Sequence, residues 1–166
     1  MVGNMTVKGN AMRRVVTIFL VFFVVLAASG CNKETEQDKV KKVITEIQTA
    51  GEVKDVSKIM KNLSKNYSDP QGFNHEGIKG LLLGYFFRYP KISAYINNLT
   101  ISVENSSARA EFQTVLTSGE KTGSITDVIP KSLGVWDFDV TLKKESNDWK
   151  VTSAKWEEAE MMKTEE

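Results

Sequence analysis

The stretch ARAEFQTVL at residues 108–116 alternates between side chains that suit a core and side chains that suit water. One face carries Ala108, Ala110, Phe112, Thr114 and Leu116, and the other carries Arg109, Glu111 and Gln113. A period of two residues is typical of a β-strand that buries one face. This stretch therefore predicts a strand at the centre of a sheet with one apolar face.

Three further stretches repeat this alternation. VWDFDVTLKK at 135–144 places Trp136, Phe138, Val140 and Leu142 on one face. A shorter alternation covers 99–104, and a last strand runs from Trp149 to about Trp156, where a shift of parity indicates a bulge. Asn and Ser at 105–107 and Ser-Asn-Asp at 146–148 predict turns, and 119–133 reads as a long loop. These elements predict an antiparallel meander with one buried face.

The period is 3.6 residues upstream of the strands. Val40, Val43, Ile44 and Ile47 predict one amphipathic helix, and Val53, Val56, Met60 and Leu63 predict a second. A third helix, Glu76 to Tyr89, follows a capping Asn74 and ends before Pro90; its apolar residues cover most of its circumference, so we expect it to be central. The predicted fold class is α+β, with three N-terminal helices packed on a curved antiparallel sheet.

The first 31 residues have the composition of an export signal. Lys8, Arg13 and Arg14 are the only charges before an almost wholly apolar run at 15–28, which is short for a membrane span. The residues ASGC at 28–31 resemble a bacterial lipobox, and Cys31 is the only cysteine of the chain. The resemblance implies that the Cys31 sulfur is lipidated and that the chain is cleaved before it. An uncleaved membrane anchor is the alternative interpretation. Met12 is an alternative to Met1 as the first residue of the translated chain.

This interpretation divides the chain into four parts: a cleaved signal peptide at 1–30, the lipidated cysteine and a linker at 31–37, a folded domain at 38–158 and a polar tail at 159–166. Six linker residues reach about 20 Å, so we expect the domain to stay near the bilayer. Asn32, by resemblance to the sorting rule of bacteria with two membranes, implies the outer membrane, facing the periplasm.

Charge and composition exclude several classes of function. Without the three basic residues of the signal, the chain has 19 basic and 21 acidic side chains, so no basic surface for nucleic acid is expected. One cysteine and one histidine, His75, are too few for a structural zinc site. The sequence predicts no metal, no cofactor and no catalytic motif.

The segments GYFFRYP at 84–90 and DWKVTSAKW at 148–156, following early helices, resemble the nuclear transport factor 2-like superfamily, which includes ketosteroid isomerase, polyketide cyclases and small bacterial lipoproteins. The resemblance covers residues 38–158. It implies a cone-like half-barrel whose concave sheet and helices enclose a cavity.

The strand phase then decides which side chains face that cavity. Phe112, Thr114, Trp136 and Phe138 are predicted to form its sheet wall, with Tyr85 from the third helix. The acids Asp137 and Asp139 are predicted to point to the opposite face of the sheet, although a slip of one residue in register would invert the assignment. His75 is interpreted as a residue of the capping loop rather than as a catalyst.

The sequence therefore favours a non-catalytic, membrane-anchored envelope protein whose domain binds an apolar small molecule or a partner protein. Two alternatives stay open. One is an enzyme similar to ketosteroid isomerase or the polyketide cyclases, with an unrecognised site. The other is a structural module that forms a homodimer through its convex sheet.

The lipidation hypothesis predicts the behaviour of a Cys31→Ser variant. Without the sulfur there is no acceptor for the lipid, so we expect loss of attached lipid and accumulation of an uncleaved precursor or a soluble form. Metabolic labelling with a fatty-acid analogue measures this. Undiminished label in the variant would rule out Cys31 as the anchor.

Overall fold

Three helices precede four strands in the computed structural model, which describes residues 34–118 and 132–159. The helices are α1 (Glu36–Glu52), α2 (Val56–Asn62) and α3 (His75–Arg88), and the strands are β1 (Ser93–Glu104), β2 (Ser107–Thr117), β3 (Ser132–Glu145) and β4 (Asp148–Glu158). The strands form one antiparallel sheet in the order β1-β2-β3-β4. The predicted α+β class and the curved antiparallel sheet are confirmed.

The predicted signal peptide, Cys31, part of the linker, most of the polar tail and most of the long loop lie outside the described residues. Among the helices that the structure does describe, none is long and apolar enough to cross a bilayer.

Side-chain caps fix where each helix begins. Thr35 and Asp38 form a reciprocal capping box at the start of α1, and Asp55 accepts a hydrogen bond from the Lys58 N–H at the start of α2. Asn74 caps α3, as predicted. The predicted apolar face of the second helix is partly wrong, because Val53 lies at the end of α1 and is 70% exposed.

Bulges in β1 and β4 keep the side-chain phase of the sheet, and a third register shift lies between Leu116 and Thr117 of β2. In β1 the register shifts between Asn97 and Thr100, and Asn98 adopts a left-handed backbone with a φ of 55°. This bulge interrupts the alternation of side chains. The part of β1 that precedes it was therefore not predicted from the sequence. In β4, Thr141 faces Ser153 while Leu142 faces Val151, so the predicted bulge is confirmed.

The tightly packed core lies where α1 begins, beside the β3–β4 turn. Val40, Ala110 and Leu142 are fully buried there, and Trp149 and Val151 are nearly so. The expectation that the third helix is central is wrong. Leu83 and Phe87 of α3 are 52% and 93% exposed, because α3 borders a cavity on one side and has an uncovered face on the other.

The Glu36 carboxylate joins the first turn of α1 to the sheet. It accepts hydrogen bonds from the Lys39 ammonium at 2.8 Å, from the Lys144 ammonium at 2.9 Å and from the Trp149 indole N–H at 2.8 Å. Lys144 also lies over the Trp149 ring, 5.9 Å from its centre. These contacts hold the first turn of α1 against β3 and β4.

The position of the core predicts the effect of two leucine truncations. Leu142→Ala should lower the free energy of unfolding by about 2–5 kcal/mol, because it opens a space in packed surroundings. Leu82→Ala should cost less, about 1 kcal/mol, because half-buried Leu82 already borders a cavity. Denaturant titration measures both, and equal losses would contradict this location of the core.

The Glu36 contacts predict a dependence of stability on pH. Hydrogen bonds from Lys39, Lys144 and Trp149 lower the pKa of Glu36 from 4.5 to about 2. A depressed pKa stabilises the fold above pH 4.5, and this contribution is lost as the pH falls toward 2. Glu36→Gln should therefore be less stable than the parent chain near neutral pH and converge with it in acid.

Glu104→Gln is the control for this measurement. Glu104 is an exposed acid at the end of β1 and makes no ion pair within the described residues. A constant stability difference between Glu36→Gln and the parent chain from pH 7 to pH 2 would contradict the assignment.

Candidate functional site

A cavity of about 540 Å³ lies between the helices and the concave face of the sheet. Its volume falls in the range of small-molecule sites. All four strands and all three helices contribute to its wall, and most of the contributed side chains are aliphatic or aromatic. The structure places all five predicted ligand-binding residues in this wall: Tyr85, Phe112, Thr114, Trp136 and Phe138.

A row of four aromatic rings crosses the cavity wall. Phe112 and Phe138 are stacked with ring centres 5.3 Å apart and planes 8° apart. Phe138 lies 6.5 Å from Trp156, and Trp156 lies 6.1 Å from Phe73, both in stacked arrangements. The row results from cross-strand pairing, because Phe112 faces Phe138 and Phe138 faces Trp156 in the sheet register.

Thr114 and Trp136 bring polar groups to this mostly apolar wall. They are direct partners across β2 and β3. Gly134 has a φ of 127°, and a Cβ atom there would stand 2.8 Å from the Trp136 Nε1 atom, so this position requires glycine. Both side chains line the cavity.

The end of α1 contributes polar groups that the sequence analysis missed. The Gln48 side-chain amide donates to the Ala94 carbonyl at 2.7 Å, and the Ala94 N–H donates to a Glu52 carboxylate oxygen at 3.3 Å. Both side chains line the cavity and cover the edge of β1. Gln48 and Glu52 follow Ile44 at a spacing of four residues, and this spacing was the signal in the sequence that they share its face of α1. They were missed because polar residues at the end of a helix are normally assigned to solvent.

Tyr67 and Asp69 form a buried pair at the cavity wall. The Tyr67 hydroxyl donates to Asp69 Oδ2 at 2.9 Å, and Asp69 Oδ1 accepts the Phe73 N–H at 2.9 Å. Burial, and next the hydrogen bond to Asp69, raise the pKa of Tyr67 well above its usual value. The hydroxyl therefore stays protonated at neutral pH and acts as a donor that orders the loop before α3.

The acids of β3 lie on the other side of the sheet. Arg109 donates two hydrogen bonds of 2.8 Å to Asp139, and Gln113 donates to Asp137 at 3.1 Å. Hydrogen bonds from Arg109 lower the pKa of Asp139. These contacts run along the convex face, whereas the side chains that line the cavity belong to the opposite phase.

His75 is buried at the start of α3 but does not line the cavity. Its Nδ1 atom lies 3.4 Å from a Glu76 carboxylate oxygen. Within the described part of the chain, no cluster of three or more metal-ligating side chains occurs.

Comparisons with known proteins identify the fold. No family model matches the chain, and no curated protein matches it. A nuclear transport factor 2-like protein of unknown function from Pseudomonas putida has a TM-score of 0.65 at 13% identity, covering 78% of this chain and 91% of that protein.

Two further solved structures are similar. A candidate scytalone dehydratase from Novosphingobium aromaticivorans has a TM-score of 0.63 at 12% identity, over 75% of this chain and 84% of that one. Bd1075 of Bdellovibrio bacteriovorus has a TM-score of 0.61 at 13% identity, over 78% of this chain. This chain spans 44% of the length of Bd1075. The described domain has the nuclear transport factor 2-like fold.

Proposed function

We propose that this protein is a lipid-anchored envelope protein whose domain binds an apolar small molecule without catalysing a reaction on it. The observation that carries the proposal is the cavity of about 540 Å³ with its row of stacked aromatic rings. An apolar guest gains free energy by leaving water for such a wall.

The arrangement of polar groups narrows the class of ligand. Thr114 and Trp136, which are register partners across β2 and β3, bring a hydroxyl and an indole N–H to a wall in which most side chains are apolar. This pattern suits a mainly apolar molecule that carries a hydrogen-bonding oxygen, such as a carbonyl or hydroxyl oxygen. Gln48 and Glu52 are occupied with the Ala94 backbone and support the wall.

The membrane anchor is the second part of the proposal. Its support is the apolar run at 15–28 and the lipobox-like residues that end at Cys31. In a bacterium with two membranes, Asn32 favours the outer membrane facing the periplasm. Acyl chains contribute about 0.8 kcal/mol per buried CH₂ group, so several chains would hold the protein on a membrane.

An enzyme is the second candidate function. The buried Tyr67–Asp69 pair at the cavity wall and the structural similarity to a candidate dehydratase favour it. The raised pKa of Tyr67 argues against a base at this position. A convex-face homodimer has less support, because that face carries the Arg109–Asp139 ion pair rather than an apolar surface.

A fluorescent apolar probe, N-phenyl-1-naphthylamine, tests ligand binding. The parent chain should bind it saturably. Ala154→Phe should weaken binding by roughly tenfold or more, equivalent to about 1.4 kcal/mol, because the added ring fills cavity space beside Trp156.

Ser102→Phe is the matched control, because Ser102 is exposed and pairs with Arg109, whose side chain lies on the convex face. It should leave probe binding unchanged. Equal binding by both variants would show that the probe does not occupy the cavity. Conversion of a bound native ligand, seen by mass spectrometry of protein purified from its own membrane, would favour the enzyme.

A further inference from the structure

An apolar stripe runs along the outer face of α3, on the side away from the cavity. Gly80, Leu83, Gly84 and Phe87 follow one another at helical spacing. Phe87 is 93% exposed and Leu83 is 52% exposed. A fully exposed phenylalanine next to a half-exposed leucine is an unusual surface for a protein in water.

Within residues 34–118 and 132–159, nothing packs over the two glycines of this outer stripe. A Cβ atom built at Gly80 or at Gly84 would meet nothing within 4 Å. The inner face of the same helix is different, because Leu82, Tyr85 and Tyr89 line the cavity. Helix α3 therefore lies between the cavity on its inner side and an exposed apolar surface on its outer side.

Basic charge accompanies the stripe. Arg88 follows Phe87, is exposed and makes no ion pair within the described residues. The Lys54 ammonium donates to the Phe86 carbonyl at 3.0 Å, which brings a second cation to the end of α3, beside exposed Val53. Aromatic and aliphatic side chains bordered by cations are typical of surfaces that lie in the interface of an anionic bilayer.

The position of the proposed anchor agrees with such a surface. Four residues lie between Cys31 and Glu36, and the five steps from Cα to Cα along this segment allow about 17 Å of reach. The 17 residues of α1 extend about 25 Å from that point to the end of the helix near Lys54 and Phe86. A bilayer that holds an acylated Cys31 is therefore within reach of the folded domain along the chain.

We propose that the outer stripe of α3 is a docking surface for the anionic bilayer that holds the protein. This proposal rests on the lipid anchor and the apolar ligand of the proposed function. Docking brings the helix whose inner face lines the cavity into the membrane interface. An apolar ligand then passes between bilayer and cavity along α3 with little exposure to water. The ligand class is accordingly a membrane-dissolved amphiphile rather than a water-soluble metabolite.

Fluorescence quenching in vesicles tests the docking surface. The full chain carrying Gly84→Cys, purified from membranes, is labelled with nitrobenzoxadiazole and reconstituted into phosphatidylglycerol–phosphatidylcholine vesicles that contain spin-labelled acyl chains. Position 84 has open space for the label and keeps Leu83 and Phe87. Ser102→Cys, on the convex face, is the control. We expect the label at 84 to lose most of its emission and the label at 102 to retain it.

Two further variants test the parts of the surface. Phe87→Ser, added to Gly84→Cys, should restore most of the emission, because it removes the largest apolar contact with the bilayer. Arg88→Gln, or vesicles of phosphatidylcholine alone, should restore part of it. Equal quenching at 84 and 102, or quenching that Phe87→Ser does not change, would overturn the proposal.

The same samples separate this inference from the anchor. Mass spectrometry of the Cys31 peptide reports acylation independently of the quenching. Acylated Cys31 with no quenching at 84 would overturn the docking surface and leave the anchor standing. Without acylation Cys31 would also take the label, so the measurement is then repeated with Cys31→Ser; quenching at 84 in that variant would support the surface and reject the anchor. Cross-linking of two chains through position 84 in vesicles would identify a second copy as the occupant and overturn the proposal.

Discussion

The side-chain phase of the sheet is the constraint on which the rest of the structure depends. Successive residues of a strand point to opposite faces, so a single slip would exchange the cavity wall with the charged outer face. The bulges at Asn98 and Thr152 each absorb one residue at a point where the phase would otherwise fail. The Arg109–Asp139 pair on one face and the Phe112–Phe138 stack on the other then follow from one register.

This constraint explains how much could be predicted from the sequence. The alternation in β2 and β3 was regular enough to place four of the five predicted cavity residues and to assign Asp137 and Asp139 to the outer face. The caps at Asn74 and Asp55 were also local signals, although only Asn74 was recognised. Local rules succeeded wherever the deciding contacts lay within a few residues along the chain.

The failures have a common physical cause. The apolar residues around α3 suggested a central helix, but hydrophobicity does not distinguish a side chain in a packed core from one that lines a cavity or stays uncovered. Gln48 and Glu52 were missed because their partner, the Ala94 backbone, is more than 40 residues away. The start of β1 was missed because the left-handed Asn98 breaks the alternation. Each of these features is decided by tertiary contacts.

The separation of the packed core from the cavity has a consequence for motion. Val40, Ala110 and Leu142 are buried at one end, while the wall around Leu82 and Tyr85 has empty space behind it. Regions with fewer buried contacts open at lower free energy than the global unfolding transition. Backbone amides of α3 should therefore exchange with solvent sooner than those of the β2–β3 pair near Ala110. A ligand bound in the cavity would slow the amide exchange of α3 first. Ligand binding would then be detected as a local loss of flexibility in α3, while exchange in the distant core stays unchanged.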